Sequence, residues 1–555
     1  MENNQWFKKS VVYQIYPKSF KDSNNDGIGD IRGIIDKLDY IKNLGAEVIW
    51  LTPIYVSPQN DNGYDIADYY NIDPIFGTME DFEELLTEVH NRSMKLIMDM
   101  VVNHTSTEHM WFKEALKGED NQYHDFYIWK KSNDGLPPNN WKSKFGGSAW
   151  KYVKELDKYY LHLFDVTQAD LNWENEKLRQ EIYKMMRFWM DKGVDGFRLD
   201  VINLISKDQN FPNDTLESPN HDGRRFYTDG PKIHEYLHGI NKNVFSLYEN
   251  SMTVGEMSST TIDHCINYTK PENEEINMTF NFHHLKVDYP NGEKWALAPF
   301  DFKQLKNILF NWQVGMQEGN GWNAVFWCNH DQPRVLSRFG DDVNYPNESA
   351  KMLATAIHLM RGTPYIYQGE EIGMTNPKFE SIDKYRDVES INAYNNLKND
   401  GKCESEILKI LQSKSRDNSR TPMQWDDNGG FTGGKPWIDM ADNYNIINAS
   451  NSVKDPNSVY NYYKSLIEIR KDYEVISNGN IVPIMKDDER VLAYIREHNE
   501  QQVLVICNFF GEEVNIKLDK KFVSKDSKIL ISNYKEVNLK EDMNLRPYES
   551  FAIII

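Results

Sequence analysis

The sequence predicts a (β/α)8 barrel of the TIM type, interrupted after its third strand by a small subdomain and closed by an antiparallel β domain. Three observations lead there. Short apolar runs alternate with amphipathic stretches until eight strand candidates have passed; repeated β-then-α units specify a parallel sheet, and eight of them close a barrel. Residues 105–175 break the rhythm with a stretch rich in Trp, Tyr, Asn and Gly. From residue 481 onward only short β runs remain (VLAYIRE, QQVLVICNFF, ESFAIII).

The elements follow in order. VVYQIYP (11–17) is the first strand, and Ile31, Ile34, Ile35, Leu38, Ile41 and Leu44 recur at helical spacing behind it, with Gly45 as the stop. AEVIWLTP is the second strand; Thr78 caps the helix MEDFEELLTEVHNR, and KLIMDMVVNH is the third strand. After the excursion, the helix EKLRQEIYKMMRFWMDKG leads to GFRLDVI, and TVGEM, MTFNF, NAVFWCNHD and TPYIYQG complete the eight. The expected division is barrel over 1–104, inserted subdomain over 105–175, barrel again over 176–480 with a long insertion at about 370–450, and the β domain over 481–555.

Composition bounds the function. The 555 residues allow two to four structural units, and a 40% hydrophobic fraction excludes global disorder. A net charge of −21 argues against nucleic acid or an anionic membrane as partner. No apolar run approaches the roughly 18–20 residues of a membrane span. The first residues lack the charged, apolar, small-residue order of a secretory signal, and Cys265, Cys328, Cys403 and Cys507 lie far apart, so a reducing cytoplasm is the expected compartment and a monomer the expected state.

In such a barrel the working face lies at the C-terminal ends of the strands. The third strand carries Asp99 and ends in Asn103 and His104; the fourth sets Arg198 and Asp200 two apart, on one side; the fifth ends at Glu256 and the seventh at His330 and Asp331. Carboxylates converging on one mouth repel unless cations offset them, and Arg198 would hold Asp200 ionised. One ionised and one protonated carboxyl is what cleavage of a glycosidic bond requires. After the second strand, Asp61 and Tyr64 offer a carboxylate and an aromatic wall that would end the site after one hexose, with Arg416 as the partner of Asp61.

DMVVNH, GFRLDVIN, VGEM and NHD, in that order, resemble the four signature segments of the α-amylase superfamily of glycoside hydrolases (family 13), and the resemblance runs from Trp6 to about Ile555. It implies a C-terminal β-sandwich. It also implies Asp200 as nucleophile, Glu256 as general acid/base and Asp331 as the carboxylate on the ring hydroxyls, with His104, Arg198 and His330 completing the sugar pocket. Double displacement with retention follows, with the Asp200 and Glu256 carboxyls about 5–5.5 Å apart. Exo-acting members of the family bring Phe164 and Gln168 over the pocket, and Val201 resembles enzymes of α-1,6 or α-1,1 links.

His283, His284, Lys286 and Lys294 gather after the sixth strand of a strongly acidic chain. Such lysines suit a phosphate, so a small phosphorylated disaccharide is the expected substrate, with His283, Lys286 and Lys294 facing its phosphate. Two alternatives stand beside it: an exo-acting α-glucosidase on isomaltose-type 1,6-linked oligosaccharides, and a non-catalytic interaction subunit. In DSNNDGIGD, Asp22, Asn24, Asp26, the Ile28 carbonyl and Asp30 alternate around a glycine turn, an oxygen set for a structural calcium; no organic cofactor is expected.

Overall fold

The computed structural model describes residues 5–131, 134–215 and 221–555. Eight parallel strands form the central sheet: β1 (Val12–Ile15), β2 (Val48–Leu51), β3 (Lys95–Val101), β4 (Gly196–Asp200), β5 (Met252–Glu256), β6 (Met278–Phe280), β7 (Ala324–Val325) and β8 (Thr363–Tyr367). Their order is β6-β5-β4-β3-β2-β1-β8-β7, and a parallel bridge from Thr279 to Asn323 joins the two ends into a barrel. Nearly every strand residue is buried, as expected for a sheet lined by side chains inside and helices outside. At Gly196, a Cβ would lie 1.8 Å from the Met252 carbonyl oxygen, so only glycine lets β4 start this close to β5.

The helices carry the expected signals. Thr78 and Asp81 close a reciprocal capping box at Met79–Asn91. The predicted helix over 30–45 is instead two, Ile31–Asp36 and Leu38–Leu44, parted at Lys37, whose ammonium lies 4.4 Å from the Trp425 ring centre. The seventh strand is shorter than NAVFWCNHD suggests. The His284 ring binds the Phe326 carbonyl at 2.9 Å and the Trp327 indole donates to Leu353, which takes the chain off the ladder after Val325.

Between β3 and β4 the chain leaves the barrel. A three-stranded antiparallel sheet (Trp129–Lys131, Lys158–Leu161, Trp150–Val153) packs with Phe211 and Tyr227 in a separate apolar cluster. The pairing of His104–Ser106 with Gln168–Asp170 ties this excursion back to the mouth. After β8, helices Val388–Asn399, Glu404–Lys414 and Asp417–Arg420 fold over the same rim. At the C-terminus β9 (Asn480–Ile484), β10 (Val491–His498), β11 (Gln501–Asn508), β12 (Lys528–Ser532) and β13 (Ser550–Ile554) form one antiparallel sheet in the order β9-β10-β11-β13-β12. A two-stranded sheet, Val514–Lys517 with Asp542–Leu545, covers one of its faces through a shared apolar core. Among the described residues no helix is long and apolar enough to cross a membrane.

Candidate active site

One guanidinium organises the mouth. Arg198, 1% exposed, contacts Asp99 at 2.7 Å, Asp200 at 2.6 Å and Glu256 at 2.7 Å. The register explains the convergence. Arg198 pairs with Asp99 across β4 and β3, Asp200 stands two residues on, and Glu256 ends the neighbouring strand. Three carboxyls around one cation leave excess negative charge in a dry site, so protons are retained. Burial, reinforced by Asp200 and Asp331, pushes Glu256 up to about 8. Asp200 rises to about 7 and Asp99 to about 6, burial outweighing Arg198. Glu256 also accepts the Val201 amide at 3.0 Å.

That amide comes from a strained backbone. Val201 sits at φ 35°, ψ 40°, in the left-handed region, where a β-branched residue is a genuine outlier and costs on the order of 1–3 kcal/mol. The strain turns the chain out of β4 immediately after Asp200 and aims the Val201 N–H at Glu256.

Asp331 is the opposite case. Burial alone would raise its carboxyl, but the guanidiniums of Arg416 and Arg420 hold it well below the usual carboxylate range; Arg420 binds it at 2.7 Å. Burial lowers His330 to about 3, so its ring is neutral. Gln14 donates to its Nδ1 at 2.8 Å, which leaves the proton on Nε2, 3.4 Å from Asp331. The ring stacks on Tyr64 at 5.1 Å and 3°. Tyr64 is fixed again where its hydroxyl donates to Asp99 at 2.9 Å.

The cleft above these groups, about 220 Å³, is lined by Asp61, Tyr64, His104, Phe164, Asp200, Val201, Glu256, Lys286, Lys294, Asp331 and Arg416 from among the residues singled out in the sequence. Gln168 and Arg198 stand just behind: Gln168 donates to Asp61 at 3.1 Å and to the Tyr64 carbonyl. Asp61 and Arg416 form a buried pair at 3.0 Å. Burial lowers His104 to about 4, and its ring contacts the Tyr64 carbonyl and Phe164.

His283 does not reach the cleft. The turn His283–Leu285 sends its ring against Trp312, 5.2 Å between centres, while His284 is spent on the Phe326 carbonyl. Lys294 lines the cleft, but Glu389 holds its ammonium at 2.6 Å. Several contributors were absent from the sequence reading. Asp387 binds Arg416 at 2.5 Å, Arg420 binds Asp331, and Lys144, Phe145 and Tyr289 line the cleft. The RDVES and SRDNSR segments were the available signal for Asp387, Glu389 and Arg420.

The loop from Asp22 to Asp30 is folded on its own side chains. Asp22 accepts the amides of Asn24, Asn25 and Gly27; Asn24 accepts that of Asp26, and Asp26 that of Ile28. Asp30 accepts from Ser23 and caps the following helix at Gly33. Among the described residues no three acidic, histidine or cysteine side chains gather as a metal cluster. The donors on the loop are all hard oxygens, the kind calcium takes.

A closed (β/α)8 barrel bearing a buried, partly protonated set of carboxyls at the C-terminal mouth defines a glycoside hydrolase. The chain belongs to the α-amylase family: the family's catalytic domain matches residues 14–479, and the α-amylase SusG C-terminal domain matches 491–551. It is a glycosidase of that family. It is similar to trehalose-6-phosphate hydrolase of Bacillus subtilis (strain 168), with 61% identity over 99% of this chain and 98% of that protein. Oligo-1,6-glucosidase of Bacillus cereus is 51% identical, with 99% of each chain covered. The crystal structure of Bacillus licheniformis trehalose-6-phosphate hydrolase superposes with a TM-score of 0.94 at 61% identity, covering 99% of each chain.

Proposed function

We propose that the protein hydrolyses α,α-trehalose 6-phosphate to glucose and glucose 6-phosphate in the cytoplasm, by double displacement. The carrying observation is the asymmetry of the cleft. One end is closed by the buried Asp61–Arg416 pair, while on the Glu256 side stand Lys144 and Lys286 with no ion-pair partner among the described residues. Similarity to the two trehalose-6-phosphate hydrolases supports the choice of substrate.

In this mechanism Glu256 gives its proton to the glycosidic oxygen while a carboxylate oxygen of Asp200 bonds to the anomeric carbon. The bond to the leaving glucose 6-phosphate breaks with its electron pair on that oxygen. Glu256, now a carboxylate, takes a proton from water, whose oxygen attacks the same carbon and frees Asp200. Both carboxyls grip the one Arg198 guanidinium, Asp200 on Nη1 at 2.6 Å and Glu256 on Nη2 at 2.7 Å, a closeness that suits a retaining pair rather than the ~6.5–9.5 Å gap of an inverting one. Asp331, ionised throughout, accepts hydroxyls of the bound ring.

Comparative hydrolysis of trehalose 6-phosphate, trehalose and isomaltose tests the substrate. The expected result is kcat/KM highest on trehalose 6-phosphate. A preference for isomaltose would replace this reading with that of an oligo-1,6-glucosidase.

A structural calcium is also proposed for the Asp22–Asp30 loop. The Asx turns use one lone pair per hydrogen bond, and each carboxylate has about four acceptor sites, so oxygens remain for a cation if the loop contracts. Calcium at 100 times its Kd would add about 2.7 kcal/mol and raise Tm by a few degrees, and a chelator would reverse it. An unchanged Tm with no calcium in the purified protein would refute the site.

A further inference from the structure

Just past Glu256, the chain leaving β5 is gripped by one side chain from the turn after β4. Resting on the reading of Glu256 as the proton donor, we infer that this side chain, Asn203, is the positioning residue for that carboxyl, fixing where Glu256 stands against the glycosidic oxygen. Three observations lead there.

The first is the gap that Asn203 fills. β5 is paired with β4 as far as Gly255 and with β6 as far as Glu256, and the Met257 N–H still reaches the Phe280 carbonyl at 3.2 Å. By then the left-handed Val201 has taken the other neighbour away, into the turn Ile202–Leu204. On that turn the Asn203 side chain does what the departed strand no longer does. Its Oδ1 accepts the Ser258 N–H at 3.1 Å, and its Nδ2 donates to the Ser259 carbonyl at 2.7 Å. Glu256 is therefore held twice from one turn: the Val201 amide fixes its carboxyl at 3.0 Å, and Asn203 fixes the backbone two and three residues on.

The second is that the amide can face only one way. Asn203 is fully buried, and its Nδ2 also donates to Asp229 at 3.0 Å. The Asp229 N–H returns a bond to the Asn203 carbonyl at 2.9 Å, and the Tyr268 hydroxyl donates to the same Asp229 oxygen at 2.6 Å. A carboxylate and a carbonyl require donors on one side, and an N–H requires an acceptor on the other. An apolar side chain of the same shape would strand all three partners in a dry place.

The third is that Asn203 stands out of reach of the sugar. Val201 and Ser258 line the cleft, and Asn203 lies behind them without lining it. Its effect on turnover must pass through the groups it holds, and the nearest reacting one is Glu256.

The test is steady-state kinetics of Asn203→Ala, Asp229→Ala and Glu256→Gln on trehalose 6-phosphate and on p-nitrophenyl α-glucoside, with folding checked by Tm. A misplaced acid costs most where the leaving group needs its proton. Asn203→Ala should lower kcat/KM on trehalose 6-phosphate about 10²-fold, the scale of a 1 Å misplacement, mainly through kcat. On the glucoside, whose leaving group departs unaided, the loss should stay below about tenfold. Asp229→Ala, which keeps Asn203 but frees its amide to turn, should show the same split more weakly, and it carries the test should Asn203→Ala not fold. Equal losses on both substrates, or no loss on either, while Glu256→Gln does split them, would overturn the role of Asn203. A Glu256→Gln enzyme that fails to split the two substrates would instead refute the reading of Glu256 as the acid, and this assignment with it.

Discussion

Asp200→Asn should abolish turnover of every α-glucoside, activated or not, with kcat falling on the order of 10⁴–10⁶-fold and KM changing little. A covalent step through this carboxylate leaves no bypass, because improving the leaving group does not supply the missing nucleophile. The fold should survive. Arg198 keeps Asp99 and Glu256 as partners, and removing one of three crowded carboxyls relieves repulsion among the rest. Tm should therefore be unchanged or higher, as when a site built for chemistry carries a stability cost. Residual activity within tenfold of wild type would remove Asp200 from its role.

Glu256→Gln should behave differently. On trehalose 6-phosphate, whose leaving hydroxyl needs a proton, kcat/KM should drop about 10²–10⁴-fold. On p-nitrophenyl α-glucoside, whose leaving group departs as a stable anion, the loss in kcat/KM should be much smaller. The pH profile carries the sign. Glu256 acts as an acid only while protonated, and its carboxyl is raised to about 8, so wild-type kcat/KM should fall as pH rises through about 8. That limb lies well above the second phosphate ionisation, near 6, and should vanish in the variant. Its persistence, with equal losses on both substrates, would assign the proton to another group.

The barrel and its carboxyls were legible because both depend on local, periodic signals. Eight apolar runs separated by amphipathic helices admit few alternatives, and motif residues at strand ends inherit their direction from the strand. Asp200 and Arg198, two apart on β4, could hardly miss each other. The rim was harder to read. Asp387, Glu389 and Arg420 come from the insertion after β8, where no repeat says which side chain turns inward, and only the closed fold puts Asp387 at 2.5 Å from Arg416. The His283–Lys294 loop shows the same gap. Its composition suggested an electropositive lip, but the tight turn at His283–Leu285 turns both histidines into the barrel wall.

The pattern has a physical basis. Strand register is dictated by neighbours along the chain and across the sheet, while loop placement depends on the sum of long-range contacts. The strain at Val201 belongs to the second kind: nothing in GFRLDVIN announces a left-handed valine, yet that conformation delivers the amide that Glu256 accepts.

The central claim is covalent capture of glucose by Asp200, and it can be read directly. Incubation with a slow fluorinated α-glucosyl fluoride, followed by proteolysis and mass spectrometry, should show one fluoroglucosyl group attached to the peptide containing Asp200. The adduct should be absent in Asp200→Asn. Label on a different carboxylate, or no label together with release of β-glucose as the first-formed product, would contradict the account.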